Sequence, residues 1–129
     1  MRLIPLSLAA LAISATTAAA EFTIAFEWGD IPVCRSGNPN TVGSPAFVLS
    51  GVPAGTTSIE FNLKDRNNPG FDHGGGRVKV GSDGQLPFGA FKYLSPCPPG
   101  RVNTYTWTAT ARANKKVLAR ATASRKYPE

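Results

Sequence analysis

The chain has few of the residues that metal or nucleophilic chemistry uses. Its 129 residues include one histidine and two cysteines. These leave no set of three clustered ligands for zinc, so we expect no metal site. The sequence also lacks a Gly-x-Ser-x-Gly segment, the nucleophile turn of the esterases. We therefore expect a protein that is not an enzyme and has no cofactor, with a small hydrolase as a remote alternative.

A hydrophobic run long enough to span a bilayer is also missing. The apolar stretch at residues 3–13 is shorter than the roughly 20 residues that a membrane-spanning helix needs. Arg2 precedes this stretch and a run of alanines at residues 18–20 follows it, which is typical of a cleaved export signal. The sequence thus predicts a signal peptide at residues 1–20. The remaining residues, 21–129, are long enough for a single domain with one core, located in the periplasm or secreted.

Both cysteines lie in the part of the chain that would be exported. Because an oxidising compartment favours disulfides, we predict a bond between Cys34 and Cys97. In the chain-entropy description, closing a loop of about sixty residues stabilises the folded state by about 4 kcal/mol. The bond would also tether the N-terminal segment to a proline-rich segment, SPCPPG, at residues 95–100.

Helical periodicity is absent after residue 20, where apolar and polar residues alternate instead. The alternation at residues 22–26, 59–64 and 104–111 predicts strands with one dry and one wet face, and so an all-β domain. Residues 117–123 predict a final hairpin strand, although their alanine content leaves a helix as the alternative.

Most prolines and glycines fall in three predicted long loops, at residues 29–46, 65–76 and 81–100. Loops of this length in a small domain often carry function. We therefore expect the binding residues to lie on these loops.

Positive charge exceeds negative charge. Of the 14 basic residues one, Arg2, lies in the predicted signal, which leaves 13 against 8 acidic residues and a formal charge of +5. Much of the excess follows Arg112, at Lys115, Lys116, Arg120, Arg125 and Lys126. One interpretation is attraction to an acidic protein partner or to anionic envelope lipid. The other is a solvated strand whose lysines prevent edge-to-edge pairing. No aromatic residues are interleaved for base stacking, so we expect no nucleic-acid partner.

The only histidine lies in the segment FDHGGG at residues 71–76. Its glycines leave backbone N–H groups exposed, and successive N–H groups can form a nest for an anion. We therefore predict that His73, Gly74 and Gly75 bind a ligand, with His73 adding positive charge below about pH 6.5. The alternative is that a neighbouring carboxylate holds His73 in a structural hydrogen bond.

Two segments carry a resemblance to a known family. Ser44-Pro45, the run LSGVPAGT at residues 49–56 and the following strand form the first segment, and SPCPPG followed by Tyr105-Thr106-Trp107 forms the second. Residues 44–111 thereby resemble the phosphatidylethanolamine-binding protein family, which includes the bacterial Raf-kinase-inhibitor-like proteins. The resemblance implies a β-sandwich with Greek-key connections, long loops at one end and a small surface pocket for anionic groups such as phosphate.

The resemblance also implies which residues form the pocket. Asp65 matches the family's first pocket carboxylate, His73 its first histidine and Tyr105 its tyrosine. Pro98 matches the proline turn. Asn67 and Asn103 stand where the family has a second aspartate and a second histidine.

From the residues and the resemblance together we predict a non-enzymatic module, monomeric or weakly dimeric, that binds a small anionic or phospho head-group ligand. The alternative is a protein-interaction or inhibitor module. It would use the proline-rich loops and the basic C-terminal hairpin.

Overall fold

The computed structural model describes residues 2–5, 9–13 and 20–129. Most of the predicted signal cleavage region, residues 14–19, lies outside the described residues. Within the described part, no helix has the length and apolar character needed to cross a membrane. The described residues form nine β-strands, which confirms the predicted all-β class: β1 Thr23–Glu27, β2 Thr41–Gly43, β3 Ala46–Ser50, β4 Ser58–Asp65, β5 Asp72–Val78, β6 Gly84–Leu86, β7 Lys92–Leu94, β8 Asn103–Ala113 and β9 Lys116–Tyr127.

The strands form two main antiparallel layers. One layer has the order β1-β3-β6 and the other the order β5-β4-β8-β9, while β2 and β7 form a separate two-stranded sheet. The hairpins β4-β5 and β8-β9 lie side by side through β4 and β8, although the chain visits the other layer between them, which is a Greek-key type of connection.

Aromatic side chains fill the space between the layers. The ring of Phe47 in β3 lies 4.5 Å from that of Phe61 in β4 and 5.4 Å from that of Trp107 in β8, measured between centroids. Both layers therefore contribute their dry faces to one core, as the sandwich prediction requires. Trp28 also belongs to this core, since it is buried and packs edge-on against Tyr105 at 5.8 Å.

The longest strand shows why the alternation in the sequence was informative. In β8 the residues Tyr105, Trp107 and Ala109 are buried in the core, while the threonines between them lie on the opposite face. The strand β9 pairs with β8 over its whole length, so residues 117–123 form a strand rather than the alternative helix.

The glycine segment is a correction to the predicted loops. Residues 65–76 were expected to be a loop, but β5 begins at Asp72 and includes the glycines. A Cβ added at Gly75 would collide with the backbone oxygen of Phe61, and one at Gly76 would lie 2.5 Å from Cβ of Phe91. Only glycine permits this close approach, so these residues serve packing. The other two predicted loops are likewise interrupted by β2, β6 and β7.

The predicted disulfide is confirmed. Cys34 and Cys97 are bonded, with their Cα atoms 4.6 Å apart and a separation of 63 residues in sequence. Two further contacts hold the same segments together: Asn40 and Ser95 exchange backbone and hydroxyl hydrogen bonds of 2.8 and 3.1 Å. The N-terminal segment is thereby fixed across the proline-rich segment at one end of the sandwich.

Candidate functional site

Asp65 organises this end of the sandwich. It is the last residue of β4, lies opposite Tyr105 in β8 and is 5% exposed. Its Oδ2 accepts a hydrogen bond of 2.9 Å from Nδ2 of Asn103, and its Oδ1 accepts one of 2.8 Å from the backbone N–H of Asn67. The carboxylate therefore ties the start of β8 to the turn that follows β4. Asn67 connects the same turn to β8 a second time, since its Oδ1 accepts a 2.9 Å hydrogen bond from the N–H of Thr104.

Tyr105 stays a neutral phenol across the physiological range. Burial, and then the nearby Asp65 carboxylate, raise the pKa of its hydroxyl well above the usual value near 10. Tyr105 can therefore donate a hydrogen bond, while an ionised Asp65 can only accept.

The Asp65 carboxylate also determines the orientation of the Asn103 side-chain amide. Because a carboxylate accepts, the NH₂ group must face Asp65 and the amide oxygen must point away from it. That oxygen, Asn103 Oδ1, is buried and has no hydrogen-bond partner among the described residues. Asn103 itself is 2% exposed, so an unsatisfied acceptor lies at the base of the site.

His73 enters the site from β5. It is 3% exposed, and its Nδ1 lies 2.7 Å from the carbonyl oxygen of Leu94. Since a carbonyl oxygen only accepts, Nδ1 carries the proton and Nε2 holds the lone pair in the neutral ring. The ring packs edge-on against Tyr105 at 5.5 Å and Phe71 at 4.7 Å. A structural hydrogen bond to His73 thus exists, but its acceptor is a backbone carbonyl and not a carboxylate.

These side chains surround one pocket of about 150 Å³. Its walls include five predicted residues, namely Asp65, His73, Pro98, Asn103 and Tyr105. A volume of this size corresponds to roughly five water molecules, which suits a head group and not a drug-sized ligand.

The two predicted glycines lie elsewhere. Gly74 and Gly75 line a separate shallow depression beside β7. The N–H of Gly74 already donates a 2.8 Å hydrogen bond to Oδ1 of Asp72, and that interaction is the main cause that lowers the pKa of Asp72. Gly75 faces Asn62 in the β4-β5 ladder. The structure therefore does not place an anion nest of glycine N–H groups in the pocket.

Several pocket residues were missed by the sequence reasoning. Arg101 lines the pocket and is exposed, and Asn68, Phe71, Gly37, Pro39 and Pro99 complete the wall. Arg101 directly follows SPCPPG, which was a usable signal. The segment at Gly37 and Pro39 reaches the pocket because of the disulfide, so its place could have been inferred from the predicted bond.

The charges of the pocket are unevenly distributed. The wall holds the Asp65 carboxylate, the His73 ring and Asn103, whose unpartnered oxygen is buried. Each of these groups is a hydrogen-bond acceptor when the histidine is neutral. The exposed guanidinium of Arg101 supplies positive charge at the mouth, and it takes part in none of the ion pairs of the described residues. A ligand therefore meets hydrogen-bond acceptors inside and a cation outside.

No protein-family model matches the sequence, and no curated protein matches it. Among solved structures, the chain is similar to the crystal structure of a phosphatidylethanolamine-binding protein homolog from Chlamydia trachomatis. The sequences are 14% identical, the match covers 84% of this chain and 98% of that one, and the TM-score is 0.49. A likeness at this level says nothing about ligand or activity.

Proposed function

We propose that this protein is an exported, non-enzymatic module that binds a small polar head group in the pocket of Asp65, His73, Asn103 and Tyr105. The supporting observation is that side chains from three distant segments meet at one pocket of about 150 Å³. A buried acceptor, Asn103 Oδ1, is left without a partner there. Such an atom is costly unless a bound donor, from water or ligand, satisfies it.

The charge distribution selects the chemistry of the head group. An anionic group placed fully inside would face the Asp65 carboxylate, whereas at the mouth it would meet Arg101. A hydrogen-bond donor fits the interior, where Nε2 of His73 can accept and the unsatisfied Oδ1 of Asn103 lies buried in a residue of the wall. The best match is a head group with both parts, such as phosphoethanolamine, and bare phosphate is a poorer one.

Membership of the phosphatidylethanolamine-binding protein family, as a short and divergent exported member of the bacterial Raf-kinase-inhibitor-like branch, is part of this proposal. Its support is that the residues carried over from the motifs (Asp65, His73, Tyr105 and Pro98) line one pocket. Asn103 replaces the family's second histidine, which fits a pocket that relies less on positive charge in its interior.

Binding without catalysis fits the state of each polar group. Both oxygens of Asp65 already accept hydrogen bonds, Nδ1 of His73 is bound to a carbonyl, and the raised pKa of Tyr105 keeps its proton in place. Export is supported by the disulfide, because such bonds persist in oxidising compartments.

The alternative of an interaction module built on the proline-rich loops gains no support from the fold. Pro96 and Pro98 are among the fully buried residues and are not available to a partner, whereas Pro87 and Pro99 are exposed. The interaction module therefore stays the second candidate.

The proposal can be tested by titrating the protein with phosphate, ethanolamine, phosphoethanolamine and acetate while following the imidazole of His73 by NMR. We expect phosphoethanolamine to give the largest shifts at the lowest concentration. Arg101→Gln should weaken the phosphate-bearing ligands and leave ethanolamine unchanged. Arg35→Gln is the matched control, since Arg35 is exposed and does not line this pocket. If no probe shifts His73 at millimolar concentration, the proposal is wrong.

A further inference from the structure

The outer face of the sheet β5-β4-β8-β9 is a second surface, distinct from the pocket. Along β8 the residues Thr104, Thr106, Thr108 and Thr110 alternate with core residues and so lie on the outer face, where Thr104 and Thr108 are half-buried and Thr106 and Thr110 are buried between their neighbours. Neighbouring strands continue this polar band: Thr108 lies between Asn62 of β4 and Thr122 of β9, and Thr106 lies beside Ser124. The middle of the face therefore consists of hydroxyl and amide groups.

Cations flank this polar band at both ends. Lys64 and Lys126 lie at the end near the pocket, and Arg77, Arg112 and Arg120 lie at the opposite end. The two ends are six residues apart along β8, which corresponds to about 20 Å. Positive charge is thus spread along a strip and is not gathered at one point.

The two carboxylates on this face are already engaged. Glu60 lies 2.8 Å from the guanidinium of Arg77 and 3.9 Å from that of Arg112, and the hydrogen bond from Arg77 is the main cause that lowers the pKa of Glu60. Asp72 accepts from the N–H of Gly74. The face therefore keeps a net positive charge.

Several of its cations have little to neutralise them. Arg120 and Lys126 are exposed and take part in none of the ion pairs of the described residues. Lys64 differs, since it lies opposite Asp72 in the β4-β5 pairing and its Nζ donates to the carbonyl of Pro69 at 3.3 Å. The exposed charged groups of Arg120 and Lys126 can therefore bind anionic groups from outside the molecule.

The polar band also narrows the class of partner. None of the exposed large hydrophobic residues in the described part of the chain lies on these four strands. The face therefore lacks the aromatic rings that stack on nucleic-acid bases and the apolar side chains that insert into a bilayer. Hydroxyl and amide side chains between cations match a polymer that has both hydroxyl groups and regularly spaced anionic groups.

We propose that this face binds an acidic polysaccharide. Carboxylate or sulfate groups of the polymer pair with the flanking cations, and its hydroxyls exchange hydrogen bonds with Asn62, Thr108 and Thr122. Thr122 is exposed, while Asn62 and Thr108 are half-buried. Each contact at such a surface is weak, so the affinity arises from several contacts at once and falls as salt rises.

The test measures binding to polygalacturonate at about 50 and about 150 mM salt. Two double variants remove the same charge: Arg120→Gln with Lys126→Gln on the face, and Arg35→Gln with Lys92→Gln on other exposed surfaces. We expect the first pair to weaken binding about tenfold and the second less than about twofold, since exposed charge contacts contribute only modestly each. Equal weakening by both pairs would show an effect of net charge alone and overturn the proposal.

A second comparison separates the polymer classes. Thr108→Val with Thr122→Val keeps charge and approximate shape, and should weaken polygalacturonate binding without changing binding of poly-glutamate, which has carboxylates but no hydroxyls. Tighter binding to oligo-dT or to anionic phospholipid vesicles than to polygalacturonate would contradict the proposal. Absence of any polygalacturonate binding at the lower salt concentration would also contradict it.

Discussion

Replacing Gly76 by alanine tests whether the glycine segment serves packing. The added Cβ would lie 2.5 Å from Cβ and 2.7 Å from Cγ of Phe91, whereas carbon atoms need about 3.5–4.0 Å. Phe91 cannot move freely, because its ring stacks on Phe61 at 5.3 Å and packs edge-on against Trp107 at 5.7 Å. Either β5 or the aromatic cluster must therefore shift by about 1 Å.

Overpacking of this kind costs about 1–3 kcal/mol, so we expect Gly76→Ala to lower the unfolding temperature by roughly 4–12 °C. Gly75→Ala should cost more, since the atom in its way is the backbone oxygen of Phe61 and not a side chain. Gly70→Ala is the matched control, because nothing lies within 4 Å of its added Cβ and its φ is not in the left-handed region. Thermal and urea unfolding of the three variants measures their loss of stability, which should be largest for Gly75→Ala and smallest for Gly70→Ala. An effect of Gly76→Ala equal to that of Gly70→Ala would refute the packing argument.

Three further predictions concern the site and its supports. Asp65→Ala should destabilise the fold by about 2–4 kcal/mol in urea unfolding, because the amide of Asn103 and the N–H of Asn67 lose their acceptor; Asp72→Asn, at an exposed carboxylate, should change stability far less. Replacing both Cys34 and Cys97 by serine should cost about 4 kcal/mol in the chain-entropy description, and a loss below about 1 kcal/mol would contradict it. Burial raises the pKa of Tyr93 above its usual value near 10, so the folded state favours the neutral phenol. The resulting stabilisation is fully present below about pH 10. It is lost as the pH rises further, by at most about 1.4 kcal/mol per pH unit. Since Tyr93 Oη has no hydrogen-bond partner among the described residues, Tyr93→Phe should leave stability at pH 7 nearly unchanged and reduce the alkaline loss; an unchanged alkaline slope would contradict this.

The sequence was sufficient for the features that depend on local pattern. The alternation at residues 59–64 and 104–111 identified β4 and β8 correctly, because apolar residues on one face of each strand lie in the core and polar residues lie on the other face. The presence of two cysteines in the part of the chain that would be exported predicted the disulfide between Cys34 and Cys97 correctly. The motifs around Asp65 and Tyr105 led to residues that line one pocket, since these two side chains are held opposite each other by the β4-β8 register.

Features that depend on distant neighbours were missed. Glycine disfavours strands in general, so the sequence indicated a loop where β5 lies; the reason for the glycines is the proximity of Phe61 and Phe91, which no local pattern reports. For the same reason Gly74 and Gly75 were assigned to ligand binding although they lie outside the pocket. Asn68 was missed because it belongs to no motif, and Phe71 was missed although it begins the segment FDHGGG.

The origin of each pocket residue indicates which parts of the site are rigid. Asp65 and Tyr105 are fixed by the β4-β8 pairing, and Asn103 is fixed by its pairing with β9 and by its hydrogen bond to Asp65. Arg101 and Gly37 lie on connections without secondary structure, held by the disulfide and its neighbours. The interior acceptors are therefore preorganised for a donor, whereas the cation at the mouth can adjust to anionic groups of different size. Substitutions in the interior should then change stability and affinity together, and substitutions at Arg101 should change ligand preference while the free energy of unfolding stays constant.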